Sequence, residues 1–172
     1  TYLIGGEEIC KRPLQPYHDE VCTFLSDLSQ TLAKCRDPEN NADVISFGFW
    51  CRRRNIENLR KKYCDRTARL GRGLIFHITP TNVPINFAYS YVFGLLAGNA
   101  NIVRVPTQTF SQVEIICDAI SDLFDTGKYP EISNMSTFVR YESGDATTEK
   151  YSEMCDGRII WGGDETIRNV RR

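Results

Sequence analysis

The chain has 172 residues, enough for one domain with a real core and too few for two large ones. Its 41% apolar and 25% charged content is that of a soluble globular protein, and a formal net charge of -1 at pH 7 supplies no overall attraction to nucleic acid or an anionic membrane. Seven cysteines with no CxxC pair, and two histidines far apart, argue against a disulfide framework or a zinc site and for free thiols in a reducing cytoplasm.

No run of about 20 apolar residues could cross a membrane, and the opening TYLIGGEEICKRP lacks the apolar core of a secretory signal. The first periodic pattern spans 17–35, where Val21, Leu25, Leu28 and Leu32 recur at helical spacing. RDPENNAD, 36–43, is a polar break. VISFGFW, 44–50, is bulky and apolar, and Gly48 leaves helix and strand open. A second helix is predicted through Ile56, Leu59 and Tyr63 to Leu70, with Gly71 ending it. Its many basic residues are interrupted by Glu57 and Asp65, which points to a solvated or oligomer-facing helix rather than a nucleic-acid stripe.

From Gly73 onward, strands alternate with helices. LIFHI (74–78), NIVRV (101–105), STFVRY (136–141) and RIIW (158–161) read as strands. INFAYSYVFGLLA (85–97), FSQVEIICDAISDLF (110–124) and 145–155 read as helices, with another starting at about Asp164. Short apolar strands separated by helices predict an α/β fold, an open parallel sheet with helices on both faces, preceded by an N-terminal helical region over 1–70. Such a sheet binds ligands beyond the carboxyl ends of its strands, which directs attention to 79–84, 106–109, 142–145 and 162–165.

The first of these junctions lies in HITPTNVPINFAY, 77–89. Thr79-Pro80 ends the strand, Pro84 suits a first helical turn, and Thr81 or Asn82 could cap free backbone N–H groups. Asn82 could equally point its amide N–H into the crevice and stabilise an oxyanion; the local residues leave both open. Arg104 sits near the end of an apolar strand, where a charge needs a partner. A phosphate would serve through a bidentate contact, or the arginine could snorkel at a sheet edge. Thr107 places no negative charge beside it. The third junction carries Gly144. In the fourth, Gly162 and Gly163 let backbone approach a ligand and open a helix N-terminus to an anion, although an ordinary turn also favours glycine. The GxGxxG fingerprint is absent. His77, inside a strand with no acid placed to orient it, reads as a satisfied sheet histidine rather than a general base.

Taken together, GRGLIFHITPTNVPINFAYSYVFGLLAGNANIVRVPT, 71–107, resembles the start of the cofactor domain of the aldehyde dehydrogenase superfamily. With IIWGGDETIRNVR, 159–171, it is more closely similar to the acyl-CoA reductases of the LuxC family, which supply fatty aldehyde to bacterial luciferase. The resemblance covers about 40–172 and is strongest over 73–106 and 159–171.

That resemblance implies a three-layer Rossmann-like sheet, a cytoplasmic enzyme without a metal, and a long-chain fatty acyl-CoA as substrate. A cysteine thiolate attacks the thioester, CoA leaves, and NADPH reduces the acyl-enzyme to aldehyde. Asn82 falls at the family's oxyanion donor. Arg104 stands where a lysine commonly meets the adenosine ribose or its 2'-phosphate. Thr107 replaces the glutamate of NAD-preferring relatives, and removing that carboxylate while keeping a cation favours NADPH. Gly162 and Gly163 stand at the Gly-Ser that meets the pyrophosphate, and Thr79, Pro80 and Gly144 complete the cofactor-binding set. The family's nucleophile lies in a second domain beyond residue 172, and none of the seven cysteines has a matching context. Residues 71–172 are therefore expected to be an incomplete nucleotide-binding domain, inactive alone, with a sheet edge that a second copy could cover. The alternatives are a related enzyme acting on a small acyl-CoA, semialdehyde or acyl phosphate, and a non-catalytic nucleotide-binding or interaction module.

Overall fold

A computed structural model of the protein describes residues 1–34, 41–64, 67–142, 146–164 and 167–168. In chain order the elements are β1 (Tyr2–Ile4), α1 (Asp19–Leu32), α2 (Ala42–Trp50), α3 (Arg53–Tyr63), β2 (Leu74–Ile78), α4 (Asn86–Leu96), β3 (Ala100–Arg104), α5 (Ser111–Asp125), α6 (Pro130–Asn134), β4 (Ser136–Val139), α7 (Thr147–Met154) and β5 (Gly157–Ile160). All four predicted strands form, each within two residues of its expected limits. The fold is α/β.

The strands make one sheet in the order β1-β4-β3-β2-β5. β2 pairs in parallel with β3 on one side and β5 on the other, and β3 pairs in parallel with β4. β1, which the sequence pattern did not reveal, is antiparallel to β4. Three residues are too few to show a period, and α6, with five, escapes for the same reason.

β2 and β3 are buried at every position, as apolar strands are when helices cover both faces. α4 lies on the face that carries Phe138, which meets Phe87 and Tyr91 edge-on at ring-centroid distances of 6.1 and 4.7 Å. On the opposite face Phe76 meets Tyr151 of α7 at 5.5 Å. The expected stripe of α1 is buried, with Phe24 added to it, and Phe24 stacks on Phe124 of α5. These side chains belong to one continuous core.

Two expectations are revised. The undecided 44–50 segment is helical, because Val44, Phe47 and Cys51 recur at i, i+3 and i+7 and all three are buried. The helix expected to reach Leu70 stops at Tyr63, and Cys64 is already extended. Only Ile56 of that helix is buried, while Tyr63 and Leu70 are exposed, so the apolar periodicity beyond Leu59 has nothing to pack against.

Gly71 therefore does not end a helix. Its N–H donates to Leu14 O at 2.8 Å, while Leu14 N–H donates to Gly98 O at 2.9 Å. These backbone contacts close the amino end of the sheet just before β2 and β3. Gly98 has a φ of +82°, and a Cβ there would come within 2.2 Å of Leu14 O. Gly98→Ala should lower stability by about 2 kcal/mol or more, read as a lower urea midpoint at unchanged slope.

Candidate cofactor and oxyanion site

From β2 the sheet grows through β3 and β4 in one direction, and the chain then returns to place β5 on the other side of β2. The carboxyl ends of β2 and β5 therefore adjoin, which is where an open parallel sheet of this order holds its ligands. Thr79, Pro80 and Asn82 follow β2 there; Trp161, Gly162 and Gly163 follow β5. Trp161 N–H donates to Ile78 O at 2.9 Å, the last rung joining the two exits. Arg104 is in register with Ile78, and Thr79 Oγ1 donates to Arg104 O at 2.8 Å. Thr107 follows in the next bend. Seven of the eight site residues expected from sequence thus gather at one end of the sheet. Gly144 lies outside the described residues.

Asn82 is exposed in the turn before α4, whose N-terminus has no side-chain cap hydrogen bond. The capping alternative for Asn82 or Thr81 is not realised. Gly162 and Gly163 are exposed, and a Cβ on Gly163 would meet nothing within 4 Å, so the chain's own packing does not require glycine there. Ile167 N–H donates to Gly163 O at 3.1 Å, the i to i−4 spacing of a helical bond.

Arg104 is 9% exposed, and β3 lies between β2 and β4. The snorkelling-at-an-edge alternative fails because this strand is not an edge. Its guanidinium carbon is 4.7 Å from the Tyr141 ring centroid, and Nη2 donates to Tyr141 O at 3.4 Å. The Tyr141 hydroxyl is 2.9 Å from Thr148 Oγ1, which fixes the ring. A second cation, Arg140, donates to Pro106 O at 3.1 Å and to Glu114 Oε1 at 2.7 Å. The loop carrying Thr107 is flanked by two guanidinium groups, and the nearby carboxylate of Glu114 is engaged by Arg140.

His77 is fully buried, as a satisfied sheet histidine. Nε2 lies 2.9 Å from Asn101 Oδ1 and Nδ1 lies 2.7 Å from Ser90 Oγ. Asn101 Nδ2 donates to Asn99 O at 2.7 Å, which orients the amide so that Oδ1 faces the imidazole. Nε2 must then carry the proton and Nδ1 must accept from the Ser90 hydroxyl. Ser90 Oγ in turn accepts from Trp161 Nε1–H at 3.0 Å. One directed chain of hydrogen bonds thus runs from Trp161 at the crevice to Asn99 at the sheet's far end. Burial holds the His77 pKa down to about 4, against a smaller upward effect of the Asn101 bond.

None of the described thiols is in the crevice. Cys51 and Cys117 are buried, which pushes both thiols up, Cys117 to about 12. Cys155 precedes β5, at the amino end of that strand. A cleft of about 370 Å³ between α1 and α3 is lined by Asp19, Cys22, Asp27, Arg53, Glu57 and Arg60 among others, and no strand end contributes to it. Its charges are paired, Arg60 with Asp19 and Arg53 with Glu57, both at 2.8 Å, and Asp27 with Lys128 at 2.6 Å. Among the described residues no helix is long and apolar enough to cross a membrane.

Sequence reading passed over Ser90, Asn101, Tyr141 and Trp161. The available signal was a polar residue interrupting an otherwise apolar helix or strand, since a buried polar group demands a partner. Tyr141 and Trp161 read from the sequence only as the last residues of strands.

A family model described as acyl-CoA reductase (LuxC) matches residues 14–172. The match begins well before the sequence blocks that carry the resemblance and takes in α1. A search of curated proteins and of solved structures finds no match.

The unfolded chain takes up a proton on His77 below about pH 6.5, whereas the folded chain resists until about pH 4. This histidine should therefore cost stability progressively as pH falls from 6.5 to 4, on the order of 3 kcal/mol in all. Urea denaturation across that range should show a shallower acid loss for His77→Gln than for the wild type.

Proposed function

This chain belongs to the acyl-CoA reductase (LuxC) family, and from that premise we propose that it forms the cofactor-holding part of an enzyme reducing long-chain fatty acyl-CoA to aldehyde with NADPH. The observation that carries the reading is the meeting, at one switch point of the sheet, of an exposed uncapped Asn82, an open Gly162–Gly163 turn and a buried Arg104.

The residues fit such a cofactor. The backbone N–H groups at Gly162 and Gly163 would hold the pyrophosphate, where Gly163 has open space in place of a Cβ. Arg104, its guanidinium set against Tyr141, would hold the 2'-phosphate, with no carboxylate at Thr107 to repel it. Thr79 and Pro80 would line the floor between them, with Gly144 as a further proposed contact. NADPH, when bound, supplies the hydride. Asn82 would donate its amide N–H to the thioester oxygen as that oxygen gains charge, both when thiolate attacks and when the acyl-enzyme is reduced. The thiolate is proposed to come from a cysteine outside this chain. In support, none of the described thiols follows the carboxyl end of β2 or β5, and burial raises three of them, Cys22, Cys51 and Cys117. Residues 71–172 then act as an incomplete nucleotide-binding domain packed on the helical region 1–70, able to hold cofactor but not to turn over substrate alone.

Two substitutions separate these roles. In the intact enzyme, Asn82→Ala should cut turnover about 10²-fold or more and leave the NADPH dissociation constant nearly unchanged. A large loss of cofactor affinity would contradict the oxyanion role. Arg104→Ala should weaken NADPH far more than NADH in equilibrium titrations, and equal losses would exclude the phosphate contact. An acyl-CoA series assayed with NADPH and NADH tests the activity itself: no aldehyde with any acyl chain would sink the reductase reading.

A further inference from the structure

Trp161 is the residue immediately before the Gly162–Gly163 turn, and it is held twice. Its main-chain N–H is on Ile78 O at 2.9 Å and its indole N–H is on Ser90 Oγ at 3.0 Å. The first bond ends the β2–β5 ladder. The second ties the same residue to α4, the helix that follows the Asn82 turn. Two glycines in succession have wide backbone freedom, so the direction in which the chain leaves β5 depends on how firmly the preceding residue is fixed.

Ser90 presents its lone pairs to the indole only because its proton is directed at His77 Nδ1. His77 leaves Nδ1 bare only because Nε2–H is directed at Asn101, which Asn99 orients in turn. The space for this chain is reserved: a Cβ on Gly94 of α4 would fall 1.9 Å from Asn101 Oδ1 and 3.0 Å from His77 Nε2. Ser90, His77 and Asn101 are buried, so a reversed or broken link would leave an unsatisfied polar group without water to replace it.

We propose that Ser90 and His77 are positioning residues acting through Trp161: their hydrogen-bond chain locks the Gly162–Gly163 turn against α4, and so fixes the distance between the turn's backbone N–H groups and the Asn82 turn. The part of this inference that concerns cofactor affinity rests on the function proposed above. His77 performs no proton transfer in it; the imidazole serves as a neutral, one-way connector between a hydroxyl donor on α4 and an amide acceptor on β3.

The test uses ¹⁵N-labelled protein at neutral pH. His77 should show the Nε2–H tautomer, and an Nδ1–H tautomer would overturn the proposal. Ser90→Ala should speed exchange of the Trp161 indole N–H at least tenfold and shift the backbone amide resonances of Gly162 and Gly163. It should also raise the NADPH dissociation constant by about five- to tenfold, the equivalent of one lost hydrogen bond. Ser90→Thr, which keeps the hydroxyl, should restore all three readings. Trp161→Phe, a change at a partly exposed ring, should reproduce the glycine shifts without unfolding the core. Glycine amides indifferent to both Ser90→Ala and Trp161→Phe would overturn the proposal, as would an unchanged NADPH affinity in a Ser90→Ala protein whose glycine amides have moved. Wild-type protein that shows the coupled indole and glycine signals yet binds neither NADPH nor NADH would refute the cofactor reading and uphold the positioning.

Discussion

The parallel ladder between β2 and β5 is the constraint on which the site depends. A parallel partner cannot be reached by a hairpin, so the chain that continues from β4 must cross the sheet before it can lie beside β2. When it does, the exits of β2 and β5 adjoin. That single adjacency brings two strand exits, more than 70 residues apart in the chain, together at one end of the sheet. Lose the β2–β5 pairing, and Asn82 and Gly162 are unrelated loop residues.

The two ends of the sheet are finished in opposite ways. At the amino end, Leu14, Gly71 and Gly98 bring backbone against backbone so closely that side chains are excluded. At the carboxyl end Gly163 faces open space and Thr81 and Asn82 are exposed. Between them runs the buried chain through Ser90, His77, Asn101 and Asn99, which spans the sheet from the open end to the closed one. Polar groups in a core are tolerated when every donor and acceptor is met, and a fully met chain has only one arrangement. Here that arrangement links the closed end of the sheet to Trp161, the residue before the Gly-Gly turn.

Arg104 illustrates how far local chemistry carries an inference. A cation inside an apolar strand announces a partner, and the sequence supports that much. Whether the partner is water at an edge or something bound in a cleft depends on strand order. With β4 outside β3, the guanidinium is buried, set against Tyr141 and directed along the sheet's carboxyl end. The membership of the LuxC family and this placement support each other, because an enzyme that handles a phosphorylated cofactor has a use for a buried arginine at that position.

By itself the sequence determined what is local. Short apolar runs marked β2 to β5 and the 3.6-residue period marked the longer helices between them, and the switch from apolar run to Thr, Pro, Asn or Gly marked where each strand ends. The places of Asn82, Arg104 and the glycine pair at strand exits were legible for the same reason, while the roles proposed for them rest on the family resemblance. What failed was equally physical. Helix α3 ended early because its later apolar residues found no surface to cover, and β1 and α6 were too short to show a period. Only the tertiary structure decided that β5 returns beside β2, that β3 is interior, and that His77 carries its proton on Nε2. Each of these depends on residues distant in the chain, and no spacing along a sequence encodes which strand will be the neighbour.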